Sequence, residues 1–237
     1  MELLSKVVGP VGTNVYVLAD PATREAIAID TAIPCLVWVT GLLKERGWIL
    51  KMIVSTHGHW DHVGDNAAVQ AWSREQSAYL AGHADAAESE ADGAESDAGA
   101  PIAVHSLDHH MLVRPEPLFA PFDIPPSVPA VELAEGGHIR FGEMDLQVLH
   151  TPGHTKGSVC LVEQESGLLL AGDTLFAGSW GRTDLPGGSD EQMIDSLGRL
   201  AGLSDGLRVL PGHGPATTIA KERSWLEHVK ATRRLPR

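Results

Sequence analysis

The stretch Thr56-His57-Gly58-His59-Trp60-Asp61-His62 contains four ligand-type side chains in an HxHxDH pattern. It follows residues 51–55, an apolar run that predicts a buried β-strand. In a loop that leaves a strand, alternate residues can point the same way, so His57 and His59 can meet one cation. Asp61 and His62 then project toward a neighbouring one. Because imidazole and carboxylate groups are common metal ligands, the stretch predicts a metal site at the end of a strand.

Three further ligand-type residues share a second feature, an apolar run followed by a ligand beside glycine. They are His154 in Thr151-Pro152-Gly153-His154, Asp173 after Leu168-Leu169-Leu170-Ala171-Gly172, and His213 after Val209-Leu210-Pro211-Gly212. With the first four residues they supply five imidazoles and two carboxylates. The repeated arrangement predicts that several strand ends bring these side chains to one place.

The rest of the chain alternates β-rich runs with helical patterns. Strands are predicted at residues 14–18, 26–30, 51–55, 138–141, 145–150, 158–162, 168–171 and 207–210. Helices are predicted from Pro34 to Gly47 and at residues 65–80, 191–200 and 217–234. This alternation favours a layered α/β fold whose sheet faces are covered by helices.

Two irregular stretches interrupt the alternation. Residues 84–100 hold six acidic side chains, no basic residue and no large hydrophobe, which predicts a solvated, mobile acidic loop. Residues 115–129 contain six prolines. Neither stretch separates two self-sufficient cores, so residues 1–237 are expected to form a single domain.

Composition narrows the classes of partner. The 237 residues include 18 basic and 31 acidic side chains, a formal charge of −13. This balance disfavours nucleic acid and anionic membrane surfaces as partners, because both require clustered Lys and Arg. Residues 1–20 lack the pattern of a signal peptide or membrane span. Two cysteines cannot form a disulfide framework, so a cytoplasmic location is expected.

From residues 11–14 to residues 211–215, the chain closely resembles the metallo-β-lactamase superfamily, whose binuclear hydrolases carry the HxHxDH–His–Asp–His series in this order. The resemblance implies an αββα sandwich with the metal site at one edge of the two sheets. It implies two divalent metal ions, with zinc as the first choice and iron or manganese as the alternatives. The implied ligands of the first ion are His57, His59 and His154, and those of the second are Asp61, His62 and His213. Asp173 would bridge both ions, and the two carboxylates, Asp61 and Asp173, would be the catalytic ones.

Two motifs after the fifth ligand refine the resemblance. Gly172-Asp173-Thr174-Leu175-Phe176 and Gly181-Arg182-Thr183-Asp184 are similar to the single-domain, glyoxalase II-like hydrolases. That branch implies a small-molecule thioester substrate, such as a hydroxyacylglutathione, cleaved by a water that the ions activate. Arg182 is interpreted as support for its loop through an ion pair with Asp184, and contact with an anionic substrate is the alternative.

Competing functions on the same scaffold are a persulfide dioxygenase with a single iron, a lactonase, and a scaffold without activity. The last is disfavoured because none of the seven ligand-type residues is missing. The other seven histidines lack the strand–glycine–ligand setting and are interpreted as structural or surface residues: His83, His105, His109, His110, His138, His150 and His228. Cys35 and Cys160 are interpreted as unreactive, and Cys160 as a core residue.

Overall fold

Two six-stranded sheets form the centre of the computed structural model, which describes residues 1–83, 99–116, 120 and 122–236. The acidic loop predicted at residues 84–100 lies outside the described residues except for Gly99 and Ala100. No helix among the described residues is both long enough and apolar enough to cross a bilayer.

The first sheet has the spatial order β1 to β6, with antiparallel pairing from β1 to β3 and parallel pairing from β3 to β6. Its strands are β1 (Glu2–Val8), β2 (Thr13–Asp20), β3 (Glu25–Ile29), β4 (Ile49–Val54), β5 (Ile102–Val104) and β6 (Val131–Glu132).

The second sheet comprises β7 (His138–Phe141), β8 (Met144–His150), β9 (Val159–Glu163), β10 (Leu168–Gly172), β13 (Arg208–Pro211) and β14 (Thr217–Thr218). Its spatial order is β14-β13-β10-β9-β8-β7, and only β10 and β13 pair in parallel. A separate hairpin joins β11 (Leu175–Phe176) to β12 (Ser179–Trp180). The helices are α1 (Leu36–Arg46), α2 (Trp60–Val63), α3 (Asn66–His83), α4 (His109–Val113), α5 (Asp190–Leu200) and α6 (Ile219–Thr232).

Apolar residues fill three layers around the sheets. Leu18 and Ile27 of the first sheet belong to a central core with Leu146, Leu161 and Leu170 of the second. The outer face of the first sheet packs on α1 and α3, and that of the second packs on α5 and α6. Each large apolar side chain buried in this way contributes about 1.5–3 kcal/mol. The predicted αββα sandwich is therefore confirmed.

Most predicted elements overlap observed ones, and the differences have local causes. The helix predicted from residue 217 begins at Ile219, because Thr217–Thr218 pairs with β13 and the Thr218 hydroxyl caps the helix. The helix predicted from Asp65 begins one residue later. The Asp65 carboxylate instead accepts hydrogen bonds from the Cys35 and Leu36 amides at the start of α1, at 2.6 and 2.9 Å. Strands β1, β5 and β6 were not predicted, and β5 and β6 are too short for a clear alternation.

Five strand ends place Asp30 and the ligand-type residues at one edge of the sandwich. Asp30 follows β3, His57 follows β4, His154 follows β8, Asp173 follows β10 and His213 follows β13. Backbone hydrogen bonds join the two sheets at this edge, from Val159 N to Thr56 O at 2.9 Å and from Asn14 N to Gly212 O at 2.7 Å. The site therefore rests on the sheets rather than on long loops.

Candidate metal centre

All seven sequence-predicted ligand residues come together in the structure. Their ligand atoms form three overlapping groups, and within each group the atoms lie within 4.8 Å of one another. The groups are His57, His59 and His154; His57, His62 and Asp173; and Asp61, His62 and His213. The first and third groups match the two ligand sets that the family resemblance implies, and the second joins them.

Asp173 lies between the two predicted sets. Its Oδ2 is 3.4 Å from His154 Nε2 and 3.5 Å from His213 Nε2, and its Oδ1 is 3.5 Å from His62 Nε2. One carboxylate therefore faces ring nitrogens from both sets, which is the arrangement expected of a bridging ligand.

The cluster is buried on one side and open on the other. His57 and His62 are fully buried, whereas His213 and Asp61 retain 24% and 15% side-chain exposure. A cavity of about 740 Å³ opens over His59, Asp61, His154, Asp173 and His213. Aromatic and aliphatic side chains form the rest of its wall, among them Trp60, Phe176, Trp180 and Leu185. A small molecule can thus reach the buried cluster through a partly apolar mouth.

Asp30 orients two of the imidazoles. Its Oδ2 accepts a hydrogen bond from His62 Nδ1 at 3.0 Å and one from Thr56 Oγ1 at 2.8 Å, and its Oδ1 accepts one from Thr56 N at 2.8 Å. The Thr56 oxygen in turn lies 3.2 Å from His57 Nδ1 and can accept its proton. Both rings therefore hold a proton on Nδ1 and direct Nε2 into the cluster.

A backbone carbonyl orients a third imidazole. His154 Nδ1 donates to the Arg182 carbonyl oxygen at 2.7 Å, which leaves His154 Nε2 free to face His59 Nδ1 at 2.8 Å. The Arg182 side chain forms a bidentate ion pair with Asp184 at 2.7 Å and lies at the rim of the cavity. The structure thus contains the ion pair that the sequence favours for Arg182, and its carbonyl adds a contact that the sequence did not predict.

Several polar atoms in the cluster have no hydrogen-bond partner among the described residues. They are His57 Nε2, His59 Nε2 and Asp173 Oδ1, all of them buried. An unpaired buried polar atom costs about 1–3 kcal/mol, and a cation within the cluster would satisfy His57 Nε2 and Asp173 Oδ1. The donor set of five imidazoles and two carboxylates fits divalent transition metals.

The electrostatics of the cluster also suit a cation. Burial and the neighbouring imidazoles lower the pKa of His57 well below its ordinary value, and burial and His154 lower that of His59 to about 3. For His62, burial lowers the pKa, but Asp173, Asp61 and Asp30 outweigh it and raise the pKa to about 10. A proton on His62 would balance these carboxylates, and a divalent cation would supply the same compensating charge.

Asp30→Asn is expected to weaken metal binding by about 10- to 100-fold, the usual cost of removing an outer-shell partner. The amide has only one acceptor oxygen, so its NH2 group must face either Thr56 N or the pair of donors Thr56 Oγ1 and His62 Nδ1. Either conflict disturbs the fixed orientation of the imidazoles. Affinity is measured by competition with a chromophoric chelator. Asp20→Asn is the matched control, because Asp20 is also a buried aspartate and lies at the far end of β2. Wild-type affinity in Asp30→Asn would contradict this role.

Gly212 permits the close approach of two side chains of the cluster. A Cβ atom at this position would lie 2.2 Å from Asp173 Oδ1 and 2.7 Å from His62 Cε1. The backbone of Gly212 cannot move away easily, because its N donates a hydrogen bond to Gly172 O of β10 at 2.7 Å. Only glycine therefore fits between these side chains without displacing one of them.

Gly212→Ala is accordingly expected to lower metal occupancy to less than half that of the unsubstituted protein. The expected cause is displacement of Asp173 or His62, and occupancy is measured by elemental analysis of folded protein. Gly41→Ala in α1 is the control, because a Cβ there meets nothing within 4 Å. Full occupancy in Gly212→Ala would show that the ligand positions tolerate the added methyl group.

Two buried carboxylates, those of Asp30 and Asp108, contact the loops of the cluster and were not predicted as functional residues. Asp30 was predicted only as the end of a strand, although its φ of 55° is uncommon for a residue other than glycine. Asp108 precedes His109 and His110, which lie exposed at the start of α4, and no sequence pattern singled it out. Its side chain accepts hydrogen bonds from Gly58 N, Gly157 N and Thr155 Oγ1. Neither residue belongs to a local pattern that could have predicted these contacts.

The chain is similar in sequence to a known protein family and to several of its members. The model of the metallo-β-lactamase superfamily matches residues 8–213. An uncharacterized protein of Aquifex aeolicus is 35% identical over 224 residues, covering 92% of each chain. A hydroxyacylglutathione hydrolase of Thermosynechococcus vestitus is 33% identical over 199 residues, covering 84% of this chain and 62% of that protein.

Solved structures resemble the chain over nearly its full length. The B3 metallo-β-lactamase BLEG-1 has a TM-score of 0.76 at 30% identity, covering 94% of this chain and 97% of that chain. TTHA1623 in a di-iron-bound form has a TM-score of 0.73 at 31% identity, covering 92% and 96%. ETHE1 from Myxococcus xanthus has a TM-score of 0.70 at 26% identity, covering 100% and 93%. Because the family model spans most of the sequence, the chain belongs to the metallo-β-lactamase superfamily.

Proposed function

We propose that the protein is a binuclear metal-dependent hydrolase that cleaves a small-molecule thioester. The observation that carries the proposal is Asp173, whose two carboxylate oxygens face ring nitrogens of both histidine sets at 3.4–3.5 Å. The similarity to a hydroxyacylglutathione hydrolase supports the thioester as the substrate class. The proposed ligands are the two predicted sets, with Asp173 between them.

Two divalent cations held there would lower the pKa of a water and polarise a thioester carbonyl. Zinc is the proposed metal, and the same donor set accepts iron or manganese. The similarity to a di-iron protein makes iron the first alternative to test.

The chain's own residues would position the water and the substrate. Asp61 faces the cavity with Oδ2 3.2 Å from His213 Nε2 and would orient the attacking water by accepting its hydrogen bond. The water oxygen bonds to the carbonyl carbon, the carbon–sulfur bond breaks, and a proton from the water ends on the departing sulfur. Trp60 and Phe176 would hold the apolar part of the substrate against the cavity wall.

No cysteine is placed to act as the nucleophile instead. Cys35 and Cys160 are both buried, and neither lines the cavity over the cluster. Burial raises the pKa of Cys160 to about 11, and burial together with Asp65 raises that of Cys35. Attack by water is therefore the proposed route.

The deciding experiment combines elemental analysis with hydrolysis assays on the purified protein. We expect about two metal ions per chain and hydrolysis of acyl thioesters that ceases with a chelator and returns with zinc. A lactone and a chromogenic cephalosporin are assayed in parallel, since BLEG-1 is a β-lactamase. Faster turnover of either compound than of any thioester would overturn the substrate class.

A persulfide dioxygenase with a single iron is the second candidate, and the similarity to ETHE1 favours it. It would yield one iron per chain and oxygen uptake with glutathione persulfide. The binuclear hydrolase predicts neither result, so the same preparation separates the two candidates.

A further inference from the structure

A second cavity, of about 170 Å³, adjoins the metal centre on the side of α4. His59 and Trp60 line both this cavity and the one over the metal cluster. The remaining wall comes from α4 with the turn before it, from the turn after His154, and from Pro186 and Gly187. The two cavities therefore share a wall at His59 and Trp60, next to the cluster where a substrate carbonyl would lie.

The second cavity has an apolar interior and a charged rim. Trp60, Leu107 and Met111 supply apolar surface, whereas Arg114 and Lys156 are exposed at the rim. Glu116 is the one exposed carboxylate among the described lining residues. The other lining carboxylate, Asp108, is buried and already accepts three hydrogen bonds, so it does not compete for a ligand.

Arg114 and Lys156 differ from the arginine at the rim of the first cavity. Arg182 is paired with Asp184 at 2.7 Å, so its charge is already compensated. Neither Arg114 nor Lys156 forms an ion pair with a carboxylate of the described residues. In a chain with a formal charge of −13, these two cations beside the metal centre are available to an anionic ligand.

From this arrangement we infer that the second cavity is a specificity subsite for a short apolar chain ending in a carboxylate. The apolar chain would contact Trp60, Leu107 and Met111, and the carboxylate would meet Arg114 and Lys156. The inference rests on the proposed thioester hydrolysis and narrows its substrate class to thioesters that carry an anionic end.

The test uses two matched pairs of substrates. One pair is the acetyl thioester of 3-mercaptopropionate and that of its amide; the other is the methyl monothioester of succinate and the methyl thioester of succinamic acid. The carboxylate-to-amide ratio of kcat/KM is measured for the holoenzyme and for Arg114→Met and Lys156→Met, which keep an unbranched apolar side chain and lose the charge. Arg140→Met is the control, because Arg140 is an exposed cation on edge strand β7.

We expect each variant at the rim to lower this ratio about tenfold in at least one pair, and Arg140→Met to leave it within twofold. A ratio that changes less than twofold in both pairs, or that falls equally in Arg140→Met, would overturn the inference.

A binding measurement separates failure of the subsite from failure of the proposed reaction. Calorimetry with 3-(ethylthio)propionate and its amide, two thioethers that cannot be hydrolysed, reports binding without turnover. If neither thioester pair is hydrolysed, a tenfold rise in the Kd of the acid in Arg114→Met still supports the subsite, and an unchanged Kd overturns it.

Discussion

Asp173→Ala is expected to lose metal and to hydrolyse thioesters on the order of a thousandfold more slowly, an increase in the activation free energy of about 4 kcal/mol. Removing an outer-shell partner lowers metal affinity or activity 10- to 100-fold. Removing a side chain that faces both histidine sets should lower them further. With alanine at this position, His62, His154 and His213 lose the carboxylate that lies 3.4–3.5 Å from their ring nitrogens. Neither cation would then have its shared ligand.

The measurement is elemental analysis and the thioester assay on the same preparation, with circular dichroism to confirm the fold. Asp173→Asn keeps the volume and removes the charge, so it separates a packing defect from the loss of a ligand. Asp145→Ala is the control, because Asp145 is an exposed aspartate on β8. An active, fully metallated Asp173→Ala protein would contradict the bridging role.

Asp108→Ala is expected to destabilise the protein by about 3 kcal/mol, a large share of the 5–15 kcal/mol typical of a folded domain. The carboxylate is 1% exposed and accepts hydrogen bonds from Gly58 N at 3.0 Å, Gly157 N at 2.8 Å and Thr155 Oγ1 at 2.6 Å. Alanine leaves both backbone donors buried without this partner. Because Gly58 adjoins His57 and His59, and Thr155 follows His154, metal affinity should fall as well.

The free energy of unfolding is measured by urea denaturation of the metal-free protein, so that lost metal does not enter the comparison. Asp123→Ala, at an exposed position, is the control. A destabilisation below 1 kcal/mol would mean that water or a shift of the loops replaces the three hydrogen bonds.

The seven ligand-type residues could be predicted from the sequence because each of them lies in a recognisable local pattern. His57, His59, Asp61 and His62 lie in one short motif, and each of the other three follows an apolar strand and a glycine. A layered α/β fold could also be predicted, since apolar runs predicted eight strands that overlap observed ones. What local patterns predicted poorly were the short pairings, such as β5 and β14, whose strand character depends on their neighbours.

The hydrogen bonds of Asp30 and Asp108 to the loops of the cluster could not be predicted from the sequence. Asp30 and Thr56 are 26 residues apart, and Asp108 and Gly58 are 50 residues apart. An aspartate at a strand end or before a helix has many ordinary uses in capping and turns. Which amide or imidazole it meets depends on how the loops pack, and no spacing in the chain encodes that choice.

The sequence by itself therefore determined a layered α/β fold and the seven ligand-type residues, because periodicity and residue chemistry are properties of short segments. The family resemblance implied the two-sheet sandwich. Only the tertiary structure decided that Asp173 faces both histidine sets, that Asp30 and Asp108 support the ligands, and that a second cavity adjoins His59. These depend on distances between loops from different strands, which are set when the two sheets pack against each other.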